Sequence, residues 1–237
     1  MRTEGDIAAV LESGELEVIG LLPRASNSTF LARAHGPDGT IPVVYKPRAG
    51  ETPLWDFLDG TLCNREVAAA VLAEALGWPN VPPTVLRDGP YGVGSVQRWV
   101  EAAPGEHYLT LRERRLDEFA AVAAFDVIAG NGDRKSGHCL LGRDGMIWVV
   151  DHGLCFNARP VLRTVIWDFA EAPVPPSLLE DVAGIAVELR RGALRARLLD
   201  LLSVEEVDAT ADRADGLRSA GAFPSPGPGR SVPWPAV

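Results

Sequence analysis

Lysine is almost absent from this chain. Lys46 and Lys135 are the only two, so 21 of the 23 basic residues are arginine. Cysteine is scarce too: three in 237 residues, an odd number at irregular spacing, which excludes a disulfide framework. No run of roughly 18 uninterrupted apolar residues occurs, which excludes a membrane-spanning helix. The first residues, MRTEGDIAAV, carry acids and no long apolar stretch, unlike a secretory leader. Together these absences predict a cytoplasmic protein. An excess of positive charge is missing as well. The 23 basic residues stand against 32 acidic ones, for a net charge of −9, so the chain lacks the basic footprint that nucleic-acid phosphates require.

What is present is the balance of an ordinary globular protein, with 46% hydrophobic and 23% charged residues. The length suits one large domain or two small lobes. Abundant Ala, Gly and Pro beside so little lysine suggest a genome whose codons disfavour lysine. Positions 46 and 135 then stand out as places where a compact ammonium is needed that the planar fork of arginine does not replace.

Thr3 with Asp6, followed by Ile7, Val10 and Leu11 at helical spacing, predicts a short helix over 3–13. The period then changes to that of strands, around 16–22, 28–34 and 41–45. Gly36-Pro37-Asp38-Gly39 joins the last two as a hairpin turn. A helix is predicted over 64–77, with Asn64 as its cap and Gly77 as its stop. Strands follow over 83–87 and 93–100, joined by Asp88-Gly89-Pro90-Tyr91-Gly92. The remainder reads as mostly helical: 115–130, a hairpin of 138–141 with 146–150, then 162–171, 176–200 and 203–219. The stretch from Gly221, GAFPSPGPGRSVPWPAV, is rich in Pro and Gly and predicts a loose tail in which Trp234 stays undocked. The organisation is therefore a sheet-rich N-lobe over 1–100, a helix-rich C-lobe over 101–220 and a flexible tail over 221–237. Clefts between such lobes are common ligand sites.

The residues that could carry chemistry cluster at strand ends and in one loop. Lys46 ends the apolar strand Val43-Val44-Tyr45 and is followed by Pro47, which stops the ladder; a cation held there can pin a polyphosphate. Glu66, in the first turn of the Ala-rich helix, is a candidate partner. Asn131-Gly132-Asp133-Arg134-Lys135-Ser136-Gly137-His138 follows an apolar helix. Turn formation explains its Asn and glycines, but not an Asp, an Arg, a Lys and a His in one loop. Asp151 stands directly after the strand Ile147-Trp148-Val149-Val150, and the intervening hairpin should turn Asp133 and Asp151 toward one cleft. Two carboxylates and a strand-end lysine suit a metal–phosphate site. Asp126, seven positions before Asp133, reads as structural support. A zinc or redox site from His138, Cys139, His152 and Cys155 is a weak rival, because no Cys-x-x-Cys pair exists and strand alternation turns Cys139 away from His138.

The order Lys on a strand, Glu on the next helix, an Asp-bearing loop, a hairpin and an Asp after a strand is the layout of protein kinases. The wording differs, with no G-x-G-x-x-G, no His-Arg-Asp and no Asp-Phe-Gly. Gly130-Asn131-Gly132-Asp133-Arg134, Val150-Asp151-His152-Gly153 and Val44-Tyr45-Lys46-Pro47 instead resemble the phosphatidylinositol 3-/4-kinase-like superfamily and the related HipA-type kinases. The chain is also similar to short actinobacterial proteins labelled as phosphatidylinositol-kinase-related. The likeness covers roughly residues 15–200. It implies an α+β, two-lobed protein-kinase-like fold with an antiparallel-sheet N-lobe and a mostly helical C-lobe. It implies ATP and Mg²⁺ as cofactors of a kinase that phosphorylates a hydroxyl, the acceptor being a protein or small molecule in preference to a lipid, since the acidic chain lacks a basic membrane patch.

In that reading Lys46 contacts the ATP phosphates and Glu66 braces it. The backbone of Gln97, Trp99, Val100 and Glu101 holds adenine. Asp133 serves as the catalytic-loop aspartate, and Lys135 neutralises charge on the transferring group. Asp151 binds the metal, and His138 stands where these families place a metal-binding Asn. Ser26 and Ser28, in Ser26-Asn27-Ser28-Thr29, replace a glycine loop over the phosphates. His138 and the missing glycine loop leave one alternative, a pseudokinase that binds nucleotide as a regulatory or scaffold module without turnover.

Overall fold

The structure, a computed structural model, describes residues 4–23, 27–37 and 39–236. Helix α1 (Glu4–Ser13) leads into strands β1 (Glu15–Leu21), β2 (Phe30–Gly36) and β3 (Gly39–Pro47). Helix α2 (Leu62–Leu76) is followed by β4 (Thr84–Gly89) and β5 (Gly92–Arg98). These strands form one antiparallel sheet in the order β1-β2-β3-β5-β4. Both expected hairpins are present: Gly36 pairs with Gly39, and Gly89 with Gly92. Asp38, part of the first turn, lies outside the described residues, as does Thr3 of the expected capping box. Alternate residues of β2 and β3 (Ala32, Ala34, Val43 and Tyr45) are buried with Val10, Leu11 and Val96, so α1 covers one face of the sheet. The Tyr45 hydroxyl donates to the Gly92 carbonyl and ties β3 to the turn before β5.

The rest of the chain is built around a near-apolar helix, α4 (Phe119–Ala129), with α3 (Tyr108–Arg115), α5 (Pro176–Arg191), α6 (Ala193–Leu199) and α7 (Val204–Ala220) near it and a small hairpin of β6 (Cys139–Leu141) and β7 (Ile147–Val149). Phe119, Val122, Ala123, Phe125 and Ile128 of α4 are all buried. Helix α2 contributes Ala68, Ala69 and Leu72 to this same large core and none of the buried residues around which the sheet closes. It thus stands between the sheet and the helices and belongs energetically to the latter.

Several local expectations give way to stronger interactions. The α2 cap is not Asn64, whose side chain bonds Arg48 and the Leu201 carbonyl. Instead the Glu51 carboxylate accepts the Leu62 and Cys63 amides at 3.0 and 2.8 Å, placing negative charge on free N–H groups at a helix start. The predicted 115–130 helix begins only at Phe119, because Arg115 leaves helical geometry at φ −140°, ψ 30°. The 176–200 helix breaks at Gly192, where a Cβ would lie 1.9 Å from Glu188 Oε2. No helix forms over 162–171. There the Arg163 and Val165 amides donate to Asn131 and Arg134 carbonyls, and Arg163 O accepts the Arg134 amide. Long-range pairing with the 131–134 loop uses the groups a helix would need. The segment from Gly221 is not loose either. Phe223 is buried, Ala222 bridges Pro173, and carbonyls further along accept hydrogen bonds from the body. Trp234 is 79% exposed, as composition implies.

Candidate active site

Lys46 comes from β3 and Glu66 from α2, while Asp151 directly follows the apolar run Ile147 to Val150 that closes the β6–β7 hairpin; all three meet in one place. Lys46 Nζ donates to Glu66 Oε1 and, at 3.0 Å, to Asp151 Oδ1, 105 positions away. The second Glu66 oxygen accepts the His152 amide at 3.0 Å, so Glu66 links the strand lysine to the segment that carries Asp151. The neighbouring residue of α2, Arg65, is fully buried, donates to the Cys155 carbonyl and pairs with Glu206 of α7, which anchors this end of the helix. Burial opposes the charge on Lys46, but Asp151 and Glu66 outweigh it and hold its pKa above the ordinary value. Asp151 is held well below the usual carboxylate range, first by Lys46. Its side chain is half exposed, and its backbone sits at φ 62°. That left-handed conformation is uncommon outside glycine, though Asp tolerates it better than most. Residues in it are enriched at functional sites.

The loop after α4 is held from below. Gly130 ends the helix at φ 60°, and a Cβ there would lie 2.9 Å from Arg213 Cζ. Asp126 and Arg134 form a fully buried ion pair in which Arg134 Nε and Nη2 both donate to the carboxylate, at 2.9 to 3.1 Å. Asn131 Nδ2 donates to the same carboxylate at 2.9 Å, while Asn131 Oδ1 accepts the Asp133 amide at 2.9 Å. Arg134 also donates to the Val150 carbonyl and to His152 Nε2. The loop and the Asp151 segment are therefore tied to one buried charge pair. Asp126 is support, as the sequence suggests. Arg134 and Asn131, with His152 behind Arg134, are the residues that sequence reasoning missed around it. The loop's own composition held the signal, since a hydrophobic helix ending in an Asp needs a buried cation nearby.

Asp133 faces the cleft half-buried, with Lys135 Nζ 3.1 Å from its Oδ2. Burial raises its pKa above the ordinary carboxylate value, and Lys135 partly offsets this. Lys135 thus lies beside Asp133. His138 is close to Asp151, with Nε2 3.3 Å from Oδ2. Its Nδ1 accepts the Lys135 amide at 3.3 Å, which places the ring proton on Nε2. Burial pushes its pKa down to about 4 in spite of Asp151, so the ring is neutral near pH 7. In this arrangement His138 stands beside Asp151, the carboxylate with which it is expected at the metal.

Gln97, Trp99, Val100 and Glu101 lie where the sheet passes into the helices. The Gln97 side chain donates to Thr84 Oγ1 at 2.8 Å. The Trp99 amide donates to the Pro42 carbonyl at 3.0 Å. Pro42 has no N–H to return, so the Trp99 carbonyl lacks a ladder partner. Among the described residues the Val100 and Glu101 amides have no acceptor either. The Glu101 carbonyl accepts the Arg143 amide at 3.0 Å. Ser28 donates its amide to the Gly50 carbonyl at 3.0 Å, which holds the β1–β2 connection against the residues after β3. Ser26 lies outside the described residues. Among the described residues no group of three or more His, Cys, Asp or Glu side chains could hold a metal ion. Mg²⁺ keeps several waters and binds through one or two carboxylates together with substrate phosphates. Asp151 and Asp133 are hard oxygen donors of this kind. Cys139 and Cys155 are fully buried, with thiols pushed up by burial. Among the described residues, no helix is long and apolar enough to cross a membrane.

The chain is 38% identical to protein Rv2133c of Mycobacterium tuberculosis (strain ATCC 25618 / H37Rv) over 271 aligned positions, which take in 100% of this chain and 97% of that protein. Among solved structures it resembles the crystal structure of a Helicobacter pylori proinflammatory kinase, CtkA. The TM-score is 0.54 at 14% identity, over 90% of this chain and 94% of that one. At that identity the likeness speaks for the fold, an α+β arrangement with an antiparallel-sheet N-lobe. No family model matches the chain.

Proposed function

The chain belongs to the family of protein Rv2133c and has a kinase-like fold, and from that premise we propose that it is an ATP- and Mg²⁺-dependent phosphotransferase acting on a hydroxyl, related to the phosphatidylinositol 3-/4-kinase-like superfamily. The observation that carries this reading is the meeting of Lys46 with both Glu66 and Asp151 in one cleft, from three separate elements. Such a constellation gives a polyphosphate a fixed cation and gives a metal a half-exposed carboxylate.

In this reading the Trp99 carbonyl and the free amides after it receive the adenine edge, and Lys46 holds the α- and β-phosphates. Asp151, with Asp133 near it, would hold Mg²⁺, which supplies charge neutralisation at the phosphate oxygens. The acceptor hydroxyl oxygen attacks the γ-phosphorus, the bond from that phosphorus to the bridging oxygen breaks, and ADP leaves with the electron pair. Asp133 takes the hydroxyl proton, and its raised pKa makes it a better base than a solvated carboxylate. Lys135, beside it, offsets charge on the transferring group.

One observation favours a second reading. Both Asp151 oxygens already have protein partners, Lys46 on Oδ1 and His138 near Oδ2. A pseudokinase that binds nucleotide without turnover would keep such contacts. The test is transfer of γ-labelled phosphate from ATP by purified protein to a cell extract of its source, with Mg²⁺ and with chelator. Mg²⁺-dependent labelling that is lost in Asp133→Asn supports the kinase. ATP binding with no labelling in any acceptor pool favours the pseudokinase, and no ATP binding overturns both.

A further inference from the structure

The C-terminal segment leaves the surface and returns to it in a specific place. Residues 224–230 are exposed throughout, whereas Ser231 and Ala236 are half-buried and Pro233 is buried. The Ser231 carbonyl accepts from the Thr164 amide at 3.0 Å and from Trp167 Nε1 at 3.1 Å. The Ala236 carbonyl accepts from the Ser136 amide at 2.8 Å. Ser136 lies three positions after Asp133, and Thr164 bridges to Arg134, the residue after Asp133. The segment therefore runs from the 164–167 stretch to the loop that carries Asp133.

We propose that Ser136, Thr164 and Trp167 form a docking groove for an extended, proline-containing polypeptide, through which a protein acceptor is presented to Asp133, and that residues 231–236 occupy this groove in cis. The proposal rests on the kinase reading above and names its acceptor class.

Three features carry it. The groove recognises main-chain carbonyls, which every polypeptide offers and which a lipid headgroup does not arrange at peptide spacing. Its amide donor at Ser136 is held in place: the Ser136 hydroxyl contacts His107 Nδ1 at 2.9 Å and accepts the Leu109 amide at 3.2 Å. The occupant inserts Pro233 and leaves Val232 and Trp234 outside. That pattern reads backbone and proline while tolerating other side chains, and a proline-rich segment loses little conformational entropy on docking. The exposed 224–230 run acts as a leash. It keeps the occupant at high effective concentration yet lets it leave without disturbing Phe223 in the core.

The test uses the full chain, a variant lacking residues 230–237, and a fluorescent peptide of residues 225–236. The deletion keeps Phe223 and the Pro173–Ala222 bridge. The peptide is expected to bind the deletion variant at least about tenfold more tightly than the full chain, and the same peptide with Pro233→Asp is expected not to bind. Amide exchange at Ser136 and Thr164 should be slow in the full chain, fast in the deletion variant, and slow again with peptide. Full-length Trp167→Phe, which loses one donor to Ser231, should bind the peptide no more tightly than the full chain while its Ser136 and Thr164 amides exchange faster, and that exchange decides the matter if the deletion variant fails to fold. Equal binding to all forms, or binding to none, overturns the groove. Phosphate transfer is measured in parallel. Peptide binding without transfer to any extract protein in any form retires the kinase reading and leaves the groove standing. Transfer without peptide binding retires the groove alone.

Discussion

Two charge clusters sit within one loop of each other, and they differ in almost every physical respect. Asp126 and Arg134 are fully buried, multiply bonded and shared with Asn131 and Thr164. Lys46 and Asp151 are partly open to solvent, at 22% and 50% exposure of their side chains. A sealed pair has no ligand to exchange with, because any partner leaving it strands a charge in a medium of low dielectric. The open pair can trade its partner for a phosphate or a metal at modest cost. The contrast sets a pair that braces the loop apart from a pair open to a ligand, although Asp126 and Asp151 are the same chemical group.

If this division is right, breaking the sealed cluster should act on stability and breaking the open one on function. The largest effect is expected from Asp126→Ala, which leaves Arg134 buried and unpaired. Loss of about 3–5 kcal/mol is expected, read as a fall of roughly 10 °C in Tm by thermal denaturation. An unchanged Tm would remove the distinction. Asp133→Asn comes next. Phosphate transfer should fall by about 10²–10⁴-fold while Tm and ATP affinity stay near those of the parent, as measured by a transfer assay beside calorimetric titration. Lys46→Ala should weaken ATP binding by roughly ten- to a hundredfold, about 1.4–2.8 kcal/mol. The loss should show in Kd and not only in kcat, since that contact exists before transfer begins.

His138 sharpens the comparison through pH. Its folded pKa of about 4 lies below the ordinary 6.5. Between those values the unfolded chain takes up a proton that the folded chain refuses, so stability falls as pH drops from about 6.5 toward 4, by an amount on the order of 2 kcal/mol. His138→Asn should flatten that part of a urea-denaturation series run across pH. The smallest effect is expected from Lys135→Arg, which keeps the charge beside Asp133 but not its compact shape. A several-fold fall in kcat with unchanged ATP affinity is the expected result, and full turnover would mark position 135 as a lysine of no special geometry.

The site was legible where chemistry-bearing residues end regular elements. Val43-Val44-Tyr45 before Lys46, and Ile147 to Val150 before Asp151, announce strands by their apolar runs, and a strand end points a polar residue outward. The hairpins were legible because their glycine-flanked turns are local. What the sequence hid was long-range. Residues 162–171 have helical periodicity, yet their amides and carbonyls bond the 131–134 loop. Glu51, eleven positions away, caps α2 in place of Asn64. The tail composition announces a segment with no core of its own, and it does build none. Its carbonyls instead use donors already present on the body, which no property of the tail alone reveals. The surroundings of the His138 ring were hidden in the same way, because they depend on the Lys135 amide and on Asp151.

The most direct measurement is calorimetric titration of ATP into the protein with and without Mg²⁺, repeated with Asp151→Asn. The account predicts that Mg²⁺ tightens ATP binding to the parent protein and that this gain disappears in Asp151→Asn while a weaker, Mg²⁺-independent affinity carried by Lys46 remains. An Mg²⁺ gain of the same size in both proteins would contradict it.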